Sequence, residues 1–371
     1  MGDGMIRTRD FQERPAMRDE DGAHVEDVDV LHVSEAFGGG VQTAISRYVE
    51  NSPDLKHALV VRVRKAHDVG TLLNVRTTRC EGSTADFVRI ARAEIRRVRP
   101  KIVHLHSSIA GALRVFSFPG VKIVYTPHSY SFLRNDISAI VRAGYFGAEL
   151  VLSRRAHTIA AISPHEAATA SRLTTGASVV TYLPNVAGDQ AARTVLRSHK
   201  PSAVTHVIAV GRIAAQKDPT YFARVAERVV DRSIEWTWIG DGDPDLKKEL
   251  SDAGVTVTGW LSNAETLEMM ADADLYFHSA RWEGAPMTLL EAAQVGTPVL
   301  VREVETLRGL GFAFAGTEVE ESAESIMRFA QDVDYRERIR AISALSLEIH
   351  SSAVQREALA YLYDLPVGGG K

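Results

Sequence analysis

Short apolar runs alternate with longer segments that are apolar along one helical face, and the alternation persists from residue 28 to the end of the chain. Residues 28–34 (VDVLHVS) read as a first strand, followed by Gly38-Gly39-Gly40 and a helix from Val41. Residues 59–63, 102–105, 122–125, 158–162 and 179–183 continue the series. The polar stretch 187–205 reads as a linker. A second series then runs through residues 207–210, 235–239, 255–258, 275–278 and 299–301. Strands separated by amphipathic helices mark βαβ units around parallel sheets. Two doubly wound α/β halves of similar size predict two Rossmann-like domains, residues 28–190 and 200–340, facing each other across a cleft. The helical region 332–363 closes the chain, and the charged residues 1–27 read as a mobile tail.

Composition narrows the class without naming it. A chain of 371 residues is long for one core, in keeping with two domains. A net charge of −4 gives no reason to expect a nucleic-acid partner. One cysteine, Cys80, excludes an internal disulfide and fits a reducing, cytoplasmic compartment. No apolar run reaches the roughly 20 residues needed to cross a bilayer. The first 27 residues lack the apolar stretch of a signal peptide. Any membrane contact, at the inner face, is therefore expected to be peripheral.

Chemistry concentrates in residues 281–299, RWEGAPMTLLEAAQVGTPV. Pro286 stands where a first helical turn tolerates it, and Gly296-Thr-Pro ends the helix before the buried run Val299-Leu300-Val301. Glu283 thus lies in the loop feeding a helix N-terminus, and Glu291 lies inside that helix. The first N–H groups of such a helix, from Met287, Thr288 and Leu289, point at an anion, most naturally a phosphate. Carboxylates accept hydrogen bonds from sugar hydroxyls. A phosphate cradle flanked by two such acceptors suits a nucleotide-sugar; an ordinary amphipathic helix with a solvated Glu is the plain alternative.

With its Glu-Gly-x-Pro entry and Gly-Thr-Pro-Val exit, the segment resembles the Glu-(seven residues)-Glu signature of retaining glycosyltransferases with the GT-B fold, family 4 in particular. The resemblance extends from about residue 28 onward. It implies that Glu283, with Gly284 beside it, contacts the donor sugar and that Glu291 contacts the ribose hydroxyls. Gly211-Arg212 and Lys217 match the family's Gly-Arg…Lys motif, and two cations suit a diphosphate leaving group. His128, in Tyr125-Thr-Pro-His-Ser-Tyr, matches the family's histidine beside the transferring sugar. Gly39 and Gly40 match a glycine pair near the donor phosphates, although three glycines after a strand also make a tight turn with no ligand. Trp260 follows Gly259 in a segment beside the base, where it stacks or fills a gap. His104 and His106 read as structural, with His106 near the cleft; as metal ligands they lack an acidic partner.

Two departures stand out. Val186 follows Pro184-Asn185 where the family has glycine, and residues 302–311 replace a Gly-rich donor segment. The resemblance also implies that a helix at about 345–365 crosses back to the first domain. Residues 84–101 carry Phe87, Ile90, Ile95 and Val98 on one face and Arg89, Arg92, Arg96 and Arg99 on the other. A solvated helix is the ordinary reading of that basic face; a contact with anionic lipid, extended by Arg62, Arg64 and Lys65, is the second.

The implied function is metal-independent, cofactor-free, retaining transfer from a nucleotide-sugar, a UDP-sugar ahead of GDP-mannose. The acceptor is a glycan or lipid-linked glycan in surface polysaccharide or glycolipid synthesis. A GT-B nucleotide-sugar epimerase and a non-catalytic nucleotide-sugar-binding protein are the competing readings.

Overall fold

The computed structural model describes residues 27–63, 75–155, 157–174, 176, 178–188, 204–231 and 233–364. The expected tail before residue 27, most of the linker, and Arg64 and Lys65 lie outside them.

The first sheet contains β1 (Val30–Ser34), β2 (His57–Arg62), β3 (Arg76–Cys80), β4 (Ile102–His106), β5 (Lys122–Thr126), β6 (Thr158–Ala161) and β7 (Val179–Tyr182). Its order is β3-β2-β1-β4-β5-β6-β7, every pair parallel. Helices α1 (Gly39–Glu50), α2 (Thr84–Val98), α3 (Ser107–Gly111), α4 (Ala139–Leu152) and α5 (Pro164–Leu173) connect the strands. The second sheet contains β8 (Thr205–Val210), β9 (Ile234–Ile239), β10 (Thr256–Val257), β11 (Leu275–His278), β12 (Val299–Arg302) and β13 (Ala313–Gly316). It repeats the pattern as β10-β9-β8-β11-β12-β13, again parallel throughout. Around it lie α6 (Pro219–Arg228), α7 (Pro244–Asp252), α8 (Asn263–Asp272), α9 (Met287–Gln294), α10 (Val319–Gln331) and α11 (Val333–Ile349). Strand order reverses at β1/β4 and at β8/β11, so loops leaving the strand C-termini open a crevice at both points. Two Rossmann-like domains facing each other make this the GT-B fold.

Local chemistry explains the elements. All of β1 is buried, as a central parallel strand covered on both faces must be. In α2 the Ser83–Asp86 capping box starts the helix, Phe87, Ala91, Ile95 and Val98 are buried, and Arg99 ends it in the left-handed region at φ +46°. The edge strands β3 and β13 escape the apolar pattern. RTTRC is polar and AFAG is small, and edge strands bury little.

A last helix, α12 (Ser352–Asp364), leaves the second domain and covers the first sheet. Its Leu359, Leu362 and Tyr363 pack with Val30, Tyr48, Val124 and Leu183, and the Lys122 ammonium donates to the Leu362 carbonyl. The crossing begins after His350, later than the motif resemblance suggested. Until then α11 still serves the second domain, where Val299 N–H donates to Ser343 Oγ at 2.9 Å. A buried polar cluster fixes the corner. Asn51 Nδ2 donates to Gln355 Oε1 (2.6 Å), Gln355 Nε2 donates to Pro184 O (2.7 Å), and His350 Nδ1 donates to Asn185 O (3.0 Å). Val186 is not among the positive-φ residues, so this corner does not require the glycine seen in the family.

Candidate active site

Backbone crowding shapes the second domain's side of the cleft. A Cβ on Gly240 (φ +141°) would stand 2.2 Å from Gly211 O, and one on Gly242 2.2 Å from Ile213 O. The loops leaving β8 and β9 therefore run backbone against backbone, which glycine permits. Arg212, at the end of β8, is exposed and has no hydrogen-bond or ion-pair partner among the described residues. Further along that loop, Lys217 Nζ is 2.6 Å from Glu283 Oε1, with the side chains 18% and 11% exposed. The next residue anchors the loop. Asp218 is buried, caps α6, and accepts from Arg281 Nε and Arg302 Nη1, each at 2.7 Å. Arg302 lies over the Tyr221 ring at 3.7 Å.

Helix α9 carries the second carboxylate. Its Leu289 N–H turns back to Pro286 O at 3.3 Å. The expected trio of anion-facing amides thus reduces to Met287 and Thr288, whose N–H groups find no acceptor among the described residues. Thr288 Oγ1 accepts from Tyr276 OH at 2.9 Å. Glu291 has no hydrogen-bond partner among the described residues; burial pushes its carboxyl up, opposed by the charges of Arg47 and Lys217. Arg47 belongs to α1, so the first domain reaches this carboxylate electrostatically. A Cβ on Gly40 would lie 3.7 Å from Met287 Cγ, which sets the first turn of α1 against that of α9. Gly39 adopts φ +51° at the start of that turn.

The first domain answers with a strained turn. His128 and Ser129 are successive non-glycine residues in the left-handed region, at φ +52° and +74°, a conformation that costs on the order of 1 kcal/mol or more per residue. Glu166 holds it: Ser129 N–H donates to Oε1 and Ile162 N–H to Oε2, both at 2.8 Å. Burial pushes the Glu166 carboxyl up to about 7 despite these two donors. The loops of the two domains touch here. A Cβ on Gly284 would stand 3.1 Å from Ser129 N and from Ile162 Cδ1. Beside it, Glu283 N–H donates to Thr306 Oγ1 (3.3 Å) and Asn185 Nδ2 to Ala285 O (2.8 Å). Two carboxylates, two cations, two free amides and an imidazole thus converge where the domains meet.

Family profiles match both halves. "Glycosyltransferase Family 4" covers residues 38–187 and "Glycosyl transferases group 1" covers residues 204–332. The chain belongs to the group 1, family 4 glycosyltransferases. An uncharacterized 41.2 kDa protein in the cps region of Klebsiella pneumoniae is 24% identical over 295 residues, 76% of this chain and 82% of that one. The UDP-Gal:alpha-D-GlcNAc-diphosphoundecaprenol alpha-1,3-galactosyltransferase of Escherichia coli is 28% identical over 111 residues, 26% of this chain and 27% of that one. Among solved structures, Anabaena Alr3699/HepE in complex with UDP and glucose superposes with a TM-score of 0.72 at 15% identity, covering 91% of this chain and 100% of that one.

Several expected residues of the glycosyltransferase take a more definite place. Trp260 is 65% exposed, so it fills no gap. His104 is structural, its nitrogens 3.1 Å from Tyr363 OH and 2.8 Å from Thr126 Oγ1. His106 reaches the cleft through a 3.0 Å contact with His128 Nε2. His32, His104 and His106 have nitrogens within 4.8 Å of one another, yet each of those nitrogens already has a protein hydrogen-bond partner. The divergent segment 302–311 supports the site instead of forming a Gly-rich donor loop. Arg302 binds Asp218, Thr306 holds Glu283, and a Cβ on Gly309 would lie 2.9 Å from Pro164 of the first domain. Arg62 does not extend a lipid-facing surface, because it pairs with buried Glu35 at 2.8 Å. Asp218, Glu166 and Thr306 were not anticipated. Two of them carried a sequence signal: Asp218 stands just before the Pro219 that starts a helix, and Glu166 is the third helical residue after Ser163, an S-x-x-E helix start.

The buried histidines predict acid sensitivity. Burial holds His32, His104 and His106 well below the usual imidazole range and His128 at about 3. Above about pH 6.5 folded and unfolded states are both neutral at these groups, and their full contribution is present. Below it, the unfolded chain binds protons that the folded chain refuses. Each such histidine then costs about 1.4 kcal/mol of stability per pH unit until its folded pKa is reached. Urea midpoints measured from about pH 7.5 to 5 should therefore fall steeply below 6.5; a level series would contradict the burial of neutral imidazoles.

Proposed function

We propose that the chain transfers a hexose, with retention of configuration, from a nucleoside-diphosphate sugar to a glycan or lipid-linked acceptor in surface polysaccharide or glycolipid synthesis. A UDP-sugar is the favoured donor, ahead of GDP-mannose. The observation that carries this reading is the Lys217–Glu283 ion pair lying against the His128–Ser129 turn of the other domain. The related Escherichia coli galactosyltransferase and the UDP-bound Anabaena structure support the donor class, and the Klebsiella protein of a cps region supports the pathway class.

In this reading Arg212, Lys217 and the amides of Met287 and Thr288 receive the diphosphate, and Glu291 accepts the ribose hydroxyls. Gly39 and Gly40 let α1 approach the phosphates, and exposed Trp260 stands toward the base. Glu283 accepts from the sugar hydroxyls and stabilises the positive charge that grows on the ring. The bond from the anomeric carbon to the phosphate oxygen breaks, and the acceptor hydroxyl attacks the face that the diphosphate leaves. Its proton passes to a departing phosphate oxygen, so neither a covalent sugar–enzyme bond nor a resident metal or cofactor is needed. Contact between the domains excludes the water that would otherwise hydrolyse the donor.

A lipid-linked acceptor is favoured by α4, which follows the His128 turn. Ile140 is 85%, Val151 60% and Val141 47% exposed, apolar side chains without a cover among the described residues. No described helix is long and apolar enough to cross a membrane. Val88, Arg92 and Arg96 of α2 line a groove of about 370 Å³ with Phe116, Arg92 lying over the Phe116 ring at 4.3 Å. Arginines around an apolar surface suit an anionic bilayer at its interface.

The experiment is nucleotide release from UDP-, GDP- and ADP-sugars, with and without anionic vesicles. Release of free nucleotide from one donor, by protein that sediments with the vesicles, is the expected result. Bound but uncleaved donor would favour the sugar-nucleotide-binding protein. Interconverted sugar without net nucleotide release would favour the epimerase.

A further inference from the structure

Four histidines form one hydrogen-bonded chain along a face of the first sheet. His57 Nδ1 is 3.1 Å from His32 Nε2, His32 Nδ1 is 3.1 Å from His106 Nε2, and His106 Nδ1 is 3.0 Å from His128 Nε2. His57 lies opposite Val30 at the start of β1, whereas His106 lies opposite Ser34 at its end. The chain therefore runs from the N-terminal end of the strands to the cleft at their C-terminal end. Its two middle members, His32 and His106, are 0% exposed. Tyr48 of α1 stacks beside His106 at 6.1 Å between ring centroids, closing the path to water.

The far end determines where every proton lies. His57 Nε2 is 3.1 Å from both Ser52 O and Ser52 Oγ. The Ser52 hydroxyl gives its only hydrogen to Tyr48 O, so both oxygens can only accept from His57. His57 Nε2 must then carry the proton. A neutral imidazole has one N–H, so His57 Nδ1 is bare and takes a hydrogen bond from His32 Nε2–H. The same step repeats at His32 and at His106. It ends with His128 protonated on Nε2 and bare on Nδ1, which has no hydrogen-bond partner among the described residues.

We propose that Ser52, His57, His32 and His106 are a tautomer relay whose purpose is to keep His128 a hydrogen-bond acceptor toward the cleft. The ligand group it selects is a hydroxyl that can donate. Within the transferase reading, on which this step rests, that hydroxyl belongs to the transferred sugar or the acceptor. His57, His32 and His106 are positioning residues; only His128 meets the ligand. A reversed chain would present an N–H instead, and a hydroxyl would have to turn its lone pair inward.

The tautomers can be read directly by long-range proton–nitrogen NMR on protein labelled with ¹⁵N-histidine and free of donor. All four rings are expected as Nε2–H. A His128 ring protonated on Nδ1, or charged, overturns the proposal. The functional arm compares His57→Gln with His57→Lys. The glutamine oxygen can still accept from His32, and kcat/KM should stay within about twofold of wild type. The lysine ammonium can only donate, which should change the His128 tautomer signature and lower kcat/KM about tenfold, the scale of one misdirected hydrogen bond. A lysine variant with unchanged signature and unchanged kcat/KM overturns the relay. So does a stoichiometric transition metal in protein purified without chelator, because an ion on His32, His104 and His106 would take the lone pairs the relay needs. Since the tautomers are read without donor, failure of the relay and failure of the transferase reading are separate results.

Discussion

Glu283→Gln should lower the rate of nucleotide release by about two to three orders of magnitude while changing the donor KM much less. The amide keeps the shape and one acceptor oxygen, so the sugar still binds. The negative charge facing the electron-poor ring is lost, and that charge is worth most in the transition state. The ion pair sharpens the effect. Lys217 Nζ lies 2.6 Å from this carboxylate and its side chain is only 18% exposed. Losing Glu283 therefore also leaves a partly buried ammonium without its direct ion-pair partner. Steady-state rates against donor concentration check the split, and a thermal melt checks that the fold survives. A variant within tenfold of wild type would remove Glu283 from the catalytic set.

Arg212→Ala should lower kcat/KM for the donor about ten- to a hundredfold, the range for losing a charge-assisted hydrogen bond to phosphate. Lys217 is already paired with Glu283, whereas Arg212 has no partner among the described residues. Of these two cations Arg212 is thus the one whose charge an incoming diphosphate would meet first. Its loss should also flatten the dependence of kcat/KM on ionic strength, since exposed charges are screened by salt. Rates at low and at high salt, wild type against variant, measure both effects. An unchanged salt dependence would assign phosphate capture to other groups.

What the chain disclosed before folding followed from patterns local in sequence. Parallel strands are mostly contiguous apolar runs, and eleven of the described strands could be read directly; polar β3 (RTTRC) and small-residue β13 (AFAG) could not. Glu283 and Glu291 were legible because one loop and one helix carry both at fixed spacing. The groups that hold the site were not. Glu166 meets Ser129 across 37 residues and Asp218 meets Arg302 across 84, distances over which no periodicity speaks. His57 and His32 lie on separate strands 25 residues apart, and only the parallel register brings them together. Leu289 illustrates the opposite error: position in a helix predicted a free amide, but the tightened first turn used it.

The return of α12 to the first sheet has a consequence for how the protein is made. Leu359, Leu362 and Tyr363 are part of a core whose other members, such as Val30 and Tyr48, leave the ribosome more than three hundred residues earlier. Domains ordinarily fold in order of synthesis. Here the first domain waits, its apolar face uncovered, while the entire second domain is translated. The nascent chain is most vulnerable to aggregation during that interval, and synthesis stalled between the two domains would leave a product with no means of covering itself.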